Sequence, residues 1–372
     1  MQKKSIYTLA VLTLVGTAFS FYGFKSGENT ATQKSHSKTS IASASPEAET
    51  EYSFVTFGCN RVENADTVGN ESTANVYQLK RDFEEIAAMN PLPKFLFVTG
   101  DLILGYEKDT VRLAREFRGW IDIYKHSSLA NKPVRVIAMP GNHESDQKID
   151  GKKTPVAVAE RVFVREMHEF IAGNNGPKPN GFGPGKDSVY TDQSQLTYSF
   201  DYGKDHFVII NSDPVGQDYR VHWHWIQKDV LAAHKNGARH IFTFAHKPAY
   251  TSHFKKGGSG DGLDNYPAAR DSFWTALENS KTVAMLVAHN HLWDSIQPHA
   301  GKTWLIIAGN GGSKLEKNWT EKPNGYFGYT VVTVPVKGAP RLTSYGRDVD
   351  PTNYNNPMPN SPTTIRAQFE LK

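Results

Sequence analysis

From Tyr52 onward, short apolar runs alternate with stretches in which apolar residues recur every three or four positions. "YSFVTF" has the length and composition of a buried strand, and Val76, Leu79, Phe83 and Ile86 then share one helical face that Pro91 and Pro93 bring to an end. "FLFVTG" is a second strand. A second helix carries Leu113, Phe117, Trp120, Ile121 and Tyr124 on one side, and "VRVIAM" follows as a third strand. Strand, helix, strand, helix, strand predicts an α/β unit built on parallel pairing.

Residues 173–195, "GNNGPKPNGFGPGKDSVYTDQSQ", hold too many Gly, Pro and Asn for a core element and predict a long loop. "LTYSFDYGKDHFVIINSD" alternates like a hairpin turning at Gly203 and Lys204. A helix over residues 221–234, the strand "HIFTFAH", a helix over residues 268–278 and the runs "TVAMLVAHNH" and "TWLIIAGNGG" come next. Two strands around "YFGYTVVTVPV" and "PRLTSYG" close the pattern. No repeat at a fixed period is present.

The ends of the chain read differently. "MQKKSIYTLAVLTLVGTAFSFYGF" has a basic tip, an apolar stretch and then small residues, the layout of a secretory signal; an uncleaved N-terminal anchor is the alternative. Either predicts an exported protein, periplasmic, secreted or surface-anchored, that meets a membrane only through that segment. The expected division is residues 1–25 as signal or anchor, 26–50 as a Ser/Thr-rich flexible linker, 51–347 as the functional domain and 348–372 as a C-terminal extension. With one cysteine, Cys59, no intramolecular disulfide can form. The net charge of +4 carries no long Lys/Arg block, so a nucleic-acid partner is not indicated, whereas a small anionic substrate is compatible. Oligomeric state is not legible.

Five apolar runs stop at residues suited to binding metal or phosphate. They are "FLFVTGD" at Asp101, "VRVIAMPGNH" at Asn142 and His143, "IFTFAH" at His246, "MLVAHNH" at His289 and His291, and "FVTFGCNR" at residues 59–61. Ligands of α/β sheets gather at the carboxyl ends of strands, so these groups can converge. Taken singly, each has an ordinary reading: a histidine after a buried run is commonly a hydrogen-bonded core residue, and Asp after Gly commonly forms a turn or helix cap. Five such ends together favour a metal site. Carboxylate and amide oxygens mixed with imidazoles suit Zn, Mn or Fe, as divalent or trivalent ions. His222, His224 and His234 lie in an amphipathic stretch and read as packing or surface residues.

The order "GD" at residues 100–101, "GNHE" at residues 141–144, "AHKP" at His246 and "AHNH" at His289 and His291 resembles the calcineurin-like metallophosphoesterases, which include the purple acid phosphatases. That resemblance, extending from Tyr52 to Tyr345, implies a four-layer α/β sandwich of two mixed β-sheets flanked by α-helices. It also implies two metal ions about 3 to 4 Å apart, with a hydroxide that attacks phosphorus in line. Asp101 would bridge the ions. Asn142, His246 and His289 would complete the set of ligands around the second ion, and His291 would bind the first. His143 would act on the leaving oxygen, and Glu144 is a candidate for orienting it.

The first motif departs from the family. Where the family has DxH, this chain reads "GCNR", which sets Cys59 at the Asp position and Arg61 at the His position. Cys59 is either a thiolate ligand or a small buried residue. Arg61 cannot ligate a metal, but its fork suits phosphate, so Arg61 and its neighbour Asn60 are assigned to substrate binding. The count of ions is accordingly two, or one with Arg61 standing in for the other. The tyrosine that purple acid phosphatases place three residues after the bridging Asp is here Leu104, with Tyr106 nearby but off register.

The function expected is exported, metal-dependent hydrolysis of a small phosphomonoester or phosphodiester by metal-activated hydroxide. Two other classes stay open: a non-catalytic binder of a phosphorylated ligand on the same fold, and a structural surface protein. The long loop, residues 173–195, is expected at the mouth of the site.

Overall fold

A computed structural model describes residues 50–63, 75–181, 183–251, 261–316, 325–348 and 361–372. The expected signal and linker lie outside these residues, apart from the start of the first strand. Among the described residues no helix is long and apolar enough to cross a membrane.

The described residues form fourteen strands and six α-helices. In chain order the strands are β1 (Thr50–Phe57), β2 (Phe95–Val98), β3 (Arg135–Ala138), β4 (Asp146–Ile149), β5 (Lys152–Pro155), β6 (Tyr198–Tyr202), β7 (Asp205–Ile210), β8 (His240–Ala245), β9 (Ala284–Val287), β10 (Trp293–Ile296), β11 (Trp304–Ala308), β12 (Phe327–Pro335), β13 (Arg341–Arg347) and β14 (Thr364–Glu370). The helices are α1 (Val76–Ala87), α2 (Thr110–Lys125), α3 (Asn142–Ser145), α4 (Ala157–Glu166), α5 (Trp223–Lys235) and α6 (Pro267–Asn279). One sheet runs β14-β13-β12-β1-β2-β3 and the other β10-β11-β9-β8-β7-β6, with β4 and β5 forming a separate hairpin. In the first sheet β1, β2 and β3 pair parallel at one end and β14, β13, β12 and β1 pair antiparallel; in the second, β11, β9, β8 and β7 pair parallel at the centre with β10 and β6 antiparallel at the edges, so both sheets are mixed.

Residue alternation along the strands explains the four layers. Phe54, Phe97, Phe207, Phe242 and Phe244 point between the sheets, where the rings of Phe97 and Phe244 stack 3.9 Å apart. Val55, Phe57, Leu96 and Val98 point the other way and are covered by Leu79, Phe83, Phe117 and Trp120 of α1 and α2. Val208, Ile210, Ile241 and Val287 are covered likewise by Ile226, Val230, Phe273 and Trp274 of α5 and α6. Strands buried on both faces read as near-continuous apolar runs, which is why they stood out in the sequence.

One segment differs from expectation. Residues 364–370, assigned to an extension outside the domain, form the edge strand of the first sheet, with Ala367 and Phe369 packed against the inter-sheet core. The alternation Ile365, Ala367, Phe369 is the strand signal there. The loop over residues 173–195 braces other elements. Asp187 accepts hydrogen bonds from the Trp225 and His224 amides at the start of α5, at 2.8 and 3.1 Å. Gln193 joins Glu160 of α4 to Asn211 after β7, at 2.8 and 3.0 Å.

At the end of the sandwich away from the candidate ligands, the buried carboxylate of Asp205 ties the sheets together. It accepts hydrogen bonds from Tyr52 Oη at 2.7 Å, Arg239 Nη2 at 2.6 Å and His240 Nδ1 at 2.9 Å. Burial opposes its ionisation, but the His240, Arg239 and Tyr52 contacts outweigh burial and hold its pKa below the ordinary 3.8. A depressed carboxylate contributes stability that is present above its unfolded pKa and lost as pH falls through the folded one. Asp205→Asn is therefore expected to cost about 3 kcal/mol at neutral pH. Its stability profile below pH 4 should be flatter than that of the wild type, as read by urea unfolding; parallel profiles would contradict this.

A candidate metal centre

The carboxyl ends of β1, β2, β3, β8 and β9 deliver the candidate residues to one place. Backbone hydrogen bonds stitch these ends together: Cys59 N to Gly100 O at 2.9 Å, Gly58 N to Ala308 O at 3.0 Å and Ala288 N to His246 O at 3.0 Å. Glycines permit the close approach. A Cβ on Gly100, whose φ is +82°, would stand 2.7 Å from His246 Nδ1, and one on Gly141 would stand 2.5 Å from Asp101 Oδ1. Cys59, Arg61, Asp101, Tyr106 and His289 all hold positive φ, a conformation that costs free energy and persists where surrounding structure enforces it.

Four atoms converge. His246 Nε2 lies 3.0 Å from Asp101 Oδ1 and 3.1 Å from Asn142 Oδ1, and His289 Nδ1 lies 3.0 Å from Asn142 Oδ1 and 3.1 Å from His246 Nε2. Their partners fix which of them carry lone pairs. His246 Nδ1 donates to Thr99 O at 2.8 Å, and His289 Nε2 donates to Asp261 Oδ1 at 3.3 Å, which leaves the inward nitrogen of each neutral ring as an acceptor. Asn142 Nδ2 donates to Tyr106 Oη, turning the amide oxygen inward. A proton on His246 Nε2 could satisfy only part of this set. A cation satisfies all of it, and the edges match the roughly 3 Å between adjacent ligands of an ion bound at about 2.1 Å.

The first position has different occupants. Arg61 donates from Nε at 3.1 Å and Nη2 at 2.8 Å to Asp101 Oδ2, the oxygen turned away from His246. His291 is half-buried, donates from Nδ1 to Lys314 O at 2.7 Å, and leaves its buried Nε2 with no hydrogen-bond partner among the described residues. Cys59 is fully buried, and its sulfur, an Asp101 oxygen and a His246 nitrogen lie within 4.8 Å of one another, a looser cluster than the four atoms above. Burial, then Asp101, pushes its thiol up.

His143 stands between the two positions. Its backbone N–H donates to Asp101 Oδ1 at 3.2 Å, its Nδ1 donates to Leu104 O, and its Nε2 is 3.7 Å from Asp101 Oδ2. Burial drives its pKa well below the ordinary imidazole value, with Asp101 opposing that shift and Arg61 adding to it. Asp101 itself is held far below the carboxylate range; burial opposes this, and His143, His246 and Arg61 prevail.

Several roles differ from the sequence reading. Asn60, expected on the substrate, is taken up inside the fold: its Nδ2 donates to Gly311 O at 2.8 Å and its Oδ1 accepts from Trp120 Nε1 at 3.1 Å. Glu144 does not orient His143. It accepts the N–H groups of Gly141 at 2.6 Å, Asp101 at 2.9 Å and Ile103 at 3.0 Å, which holds the loops after β2 and β3 together. Burial, with Asp101 next, pushes Glu144 up to about 7. Tyr106 enters through Asn142 and lies against His143, the two ring centroids 4.0 Å apart and the planes tilted by 45°. Beside the centre, Lys247 pairs with Asp213 and lies 3.4 Å from Asp218 in a buried cluster, and no sequence pattern marked that pairing.

The family model for calcineurin-like phosphoesterases matches residues 65–310, about two thirds of the chain, so the protein belongs to the calcineurin-like phosphoesterase family. The match begins after Cys59 and Arg61. The fold is similar to a purple acid phosphatase from yellow lupin (Lupinus luteus) seeds, with a TM-score of 0.54 and 16% identity over 82% of this chain and 52% of that one. This chain therefore spans about half the length of the lupin protein. An anchor protein of the inner membrane complex of Plasmodium matches with a TM-score of 0.45 and 12% identity over 80% of this chain and 85% of that one. Comparison with curated protein sequences gives no match.

Proposed function

We propose that the protein is an exported metal-dependent phosphoesterase acting on a small phosphomonoester or phosphodiester. The observation that carries this reading is the convergence of Asp101, Asn142, His246 and His289, four buried or nearly buried acceptors about 3 Å apart with His143 beside them. Family membership supports it. These four residues would hold a Zn, Mn or Fe ion, which when bound supplies positive charge to a phosphoryl oxygen and acidifies a water molecule. Asp101 and Asn142 fix its place, and Tyr106 keeps the Asn142 oxygen turned toward it. Arg61 adds fixed positive charge beside the reacting phosphoryl group. His143 Nε2 protonates the leaving oxygen. Export is supported by the basic, then apolar, N-terminal segment.

Protein purified, stripped with chelator and reloaded with Mn, Zn or Fe is to be assayed in parallel on 4-nitrophenyl phosphate and bis(4-nitrophenyl) phosphate. Hydrolysis of one of them is expected, abolished by the chelator and restored by the ion. Tight metal and phosphate binding without turnover of any ester in a wider panel would replace the reading with that of a phosphate-ligand binder. Cell fractionation that leaves the full-length chain in the cytoplasm would remove export alone.

A further inference from the structure

We infer that the centre holds one metal ion and that the Arg61 guanidinium occupies the place of the second. The inference rests on the metal reading of Asp101, Asn142, His246 and His289 and adds its stoichiometry. Each oxygen of Asp101 has its own cationic partner: Oδ1 faces His246 and the convergent set, while Oδ2 is gripped by Arg61 through Nε at 3.1 Å and Nη2 at 2.8 Å. An ion on Oδ2 would have to approach to about 2.1 Å, where it would overlap and repel that guanidinium.

The remaining groups do not compensate. Of the two ligands the family motif supplies at this position, one is a cysteine and the other an arginine, a side chain that keeps its proton and has no lone pair to offer. The backbone enforces the substitution. Cys59 and Arg61 hold φ of +62° and +50°, and Arg61 N donates to Asp101 O at 2.8 Å, so the guanidinium is anchored at its root as well as at its tip. His291 offers one lone pair at Nε2, a buried atom without a hydrogen-bond partner among the described residues, and a single imidazole is too few donors to hold an ion. A single ion with a fixed guanidinium retains two positive centres about the phosphoryl group, but only one of them can acidify water.

Metal content decides the matter without any activity measurement. Protein saturated with Mn or Zn, freed of excess ion and analysed by mass spectrometry should carry about one ion per chain. Cys59→Ser and His291→Ala should each still carry about one. The double variant Cys59→Asp/Arg61→His rebuilds the family motif and should carry about two, with a Mn-loaded spectrum showing exchange coupling between ions that the wild type lacks. In Arg61→Ala, inorganic phosphate should bind about tenfold or more weakly by calorimetry, since a charge-assisted contact is removed. Two tightly held ions in the wild type, or loss of the single ion in His291→Ala, would overturn the inference and leave the phosphoesterase reading standing. One ion without turnover would do the reverse. No bound ion in any form would overturn both.

Discussion

His246→Ala is expected to release the bound ion and to lower kcat/KM by roughly 10³-fold or more, beyond the 10²- to 10³-fold that loss of one oxyanion donor costs. The residue is fully buried, and its Nε2 lies within about 3 Å of three other candidate donors, so no neighbour can take its place. The change also strands the Thr99 carbonyl, which accepts from Nδ1 at 2.8 Å, and some stability will go with it. A thermal measurement separates the two effects. An ion that binds only the folded chain raises stability by about 2.7 kcal/mol at a hundred times its Kd. The wild type should therefore melt higher with metal than without, while His246→Ala should melt at one temperature in both. A variant with wild-type metal content and a preserved metal-induced shift would remove His246 from the ligand set.

The strands that carry the site were legible because they are buried on both faces and so appear as apolar runs, each ending where its backbone reaches the cleft. Asn142, His246 and His289 were found for that reason. Residues whose roles depend on distant partners were not. Asn60 sits in the same tetrapeptide as Arg61, yet its amide is fixed by Gly311 and by Trp120, 251 and 60 positions away in sequence. Arg61 was identified as a cation near phosphate, but the sequence does not say that its fork closes on Asp101 rather than projecting into solvent. Tyr106 looked out of register by simple spacing. Left-handed backbone at Gly105 and Tyr106, with φ of +60° and +57°, turns the chain so that the phenol meets Asn142. The Lys247 cluster was missed because Asp213 and Asp218 follow a different strand, and only the side-by-side pairing of β7 and β8 brings them to the lysine. Spacing along the chain locates ligands on strand ends; it does not report which side chains those ends will face.

His143→Ala is expected to keep its metal and to lose about 10²- to 10⁴-fold in turnover, the range of general acid catalysis. The imidazole lies outside the convergent set, and its backbone N–H, which the variant retains, is what bonds to Asp101 Oδ1 at 3.2 Å. Because Nδ1 donates to the Leu104 carbonyl, only the imidazolium carries a proton on Nε2 that it can give to a leaving oxygen. Burial and Arg61 disfavour that form and Asp101 favours it, so a phosphate dianion arriving beside the ring must tip the balance. Two signatures follow. In the wild type, turnover should fall as pH rises through the pKa of His143 in the substrate complex, and this limb should vanish in the variant. The loss should also depend on the leaving group: large for an alkyl phosphate such as glycerol phosphate, whose alkoxide needs the proton, and small for 4-nitrophenyl phosphate, whose phenolate does not. Equal losses on both esters, with the alkaline limb intact, would show that His143 positions Asp101 or binds substrate and that the leaving oxygen takes its proton from elsewhere.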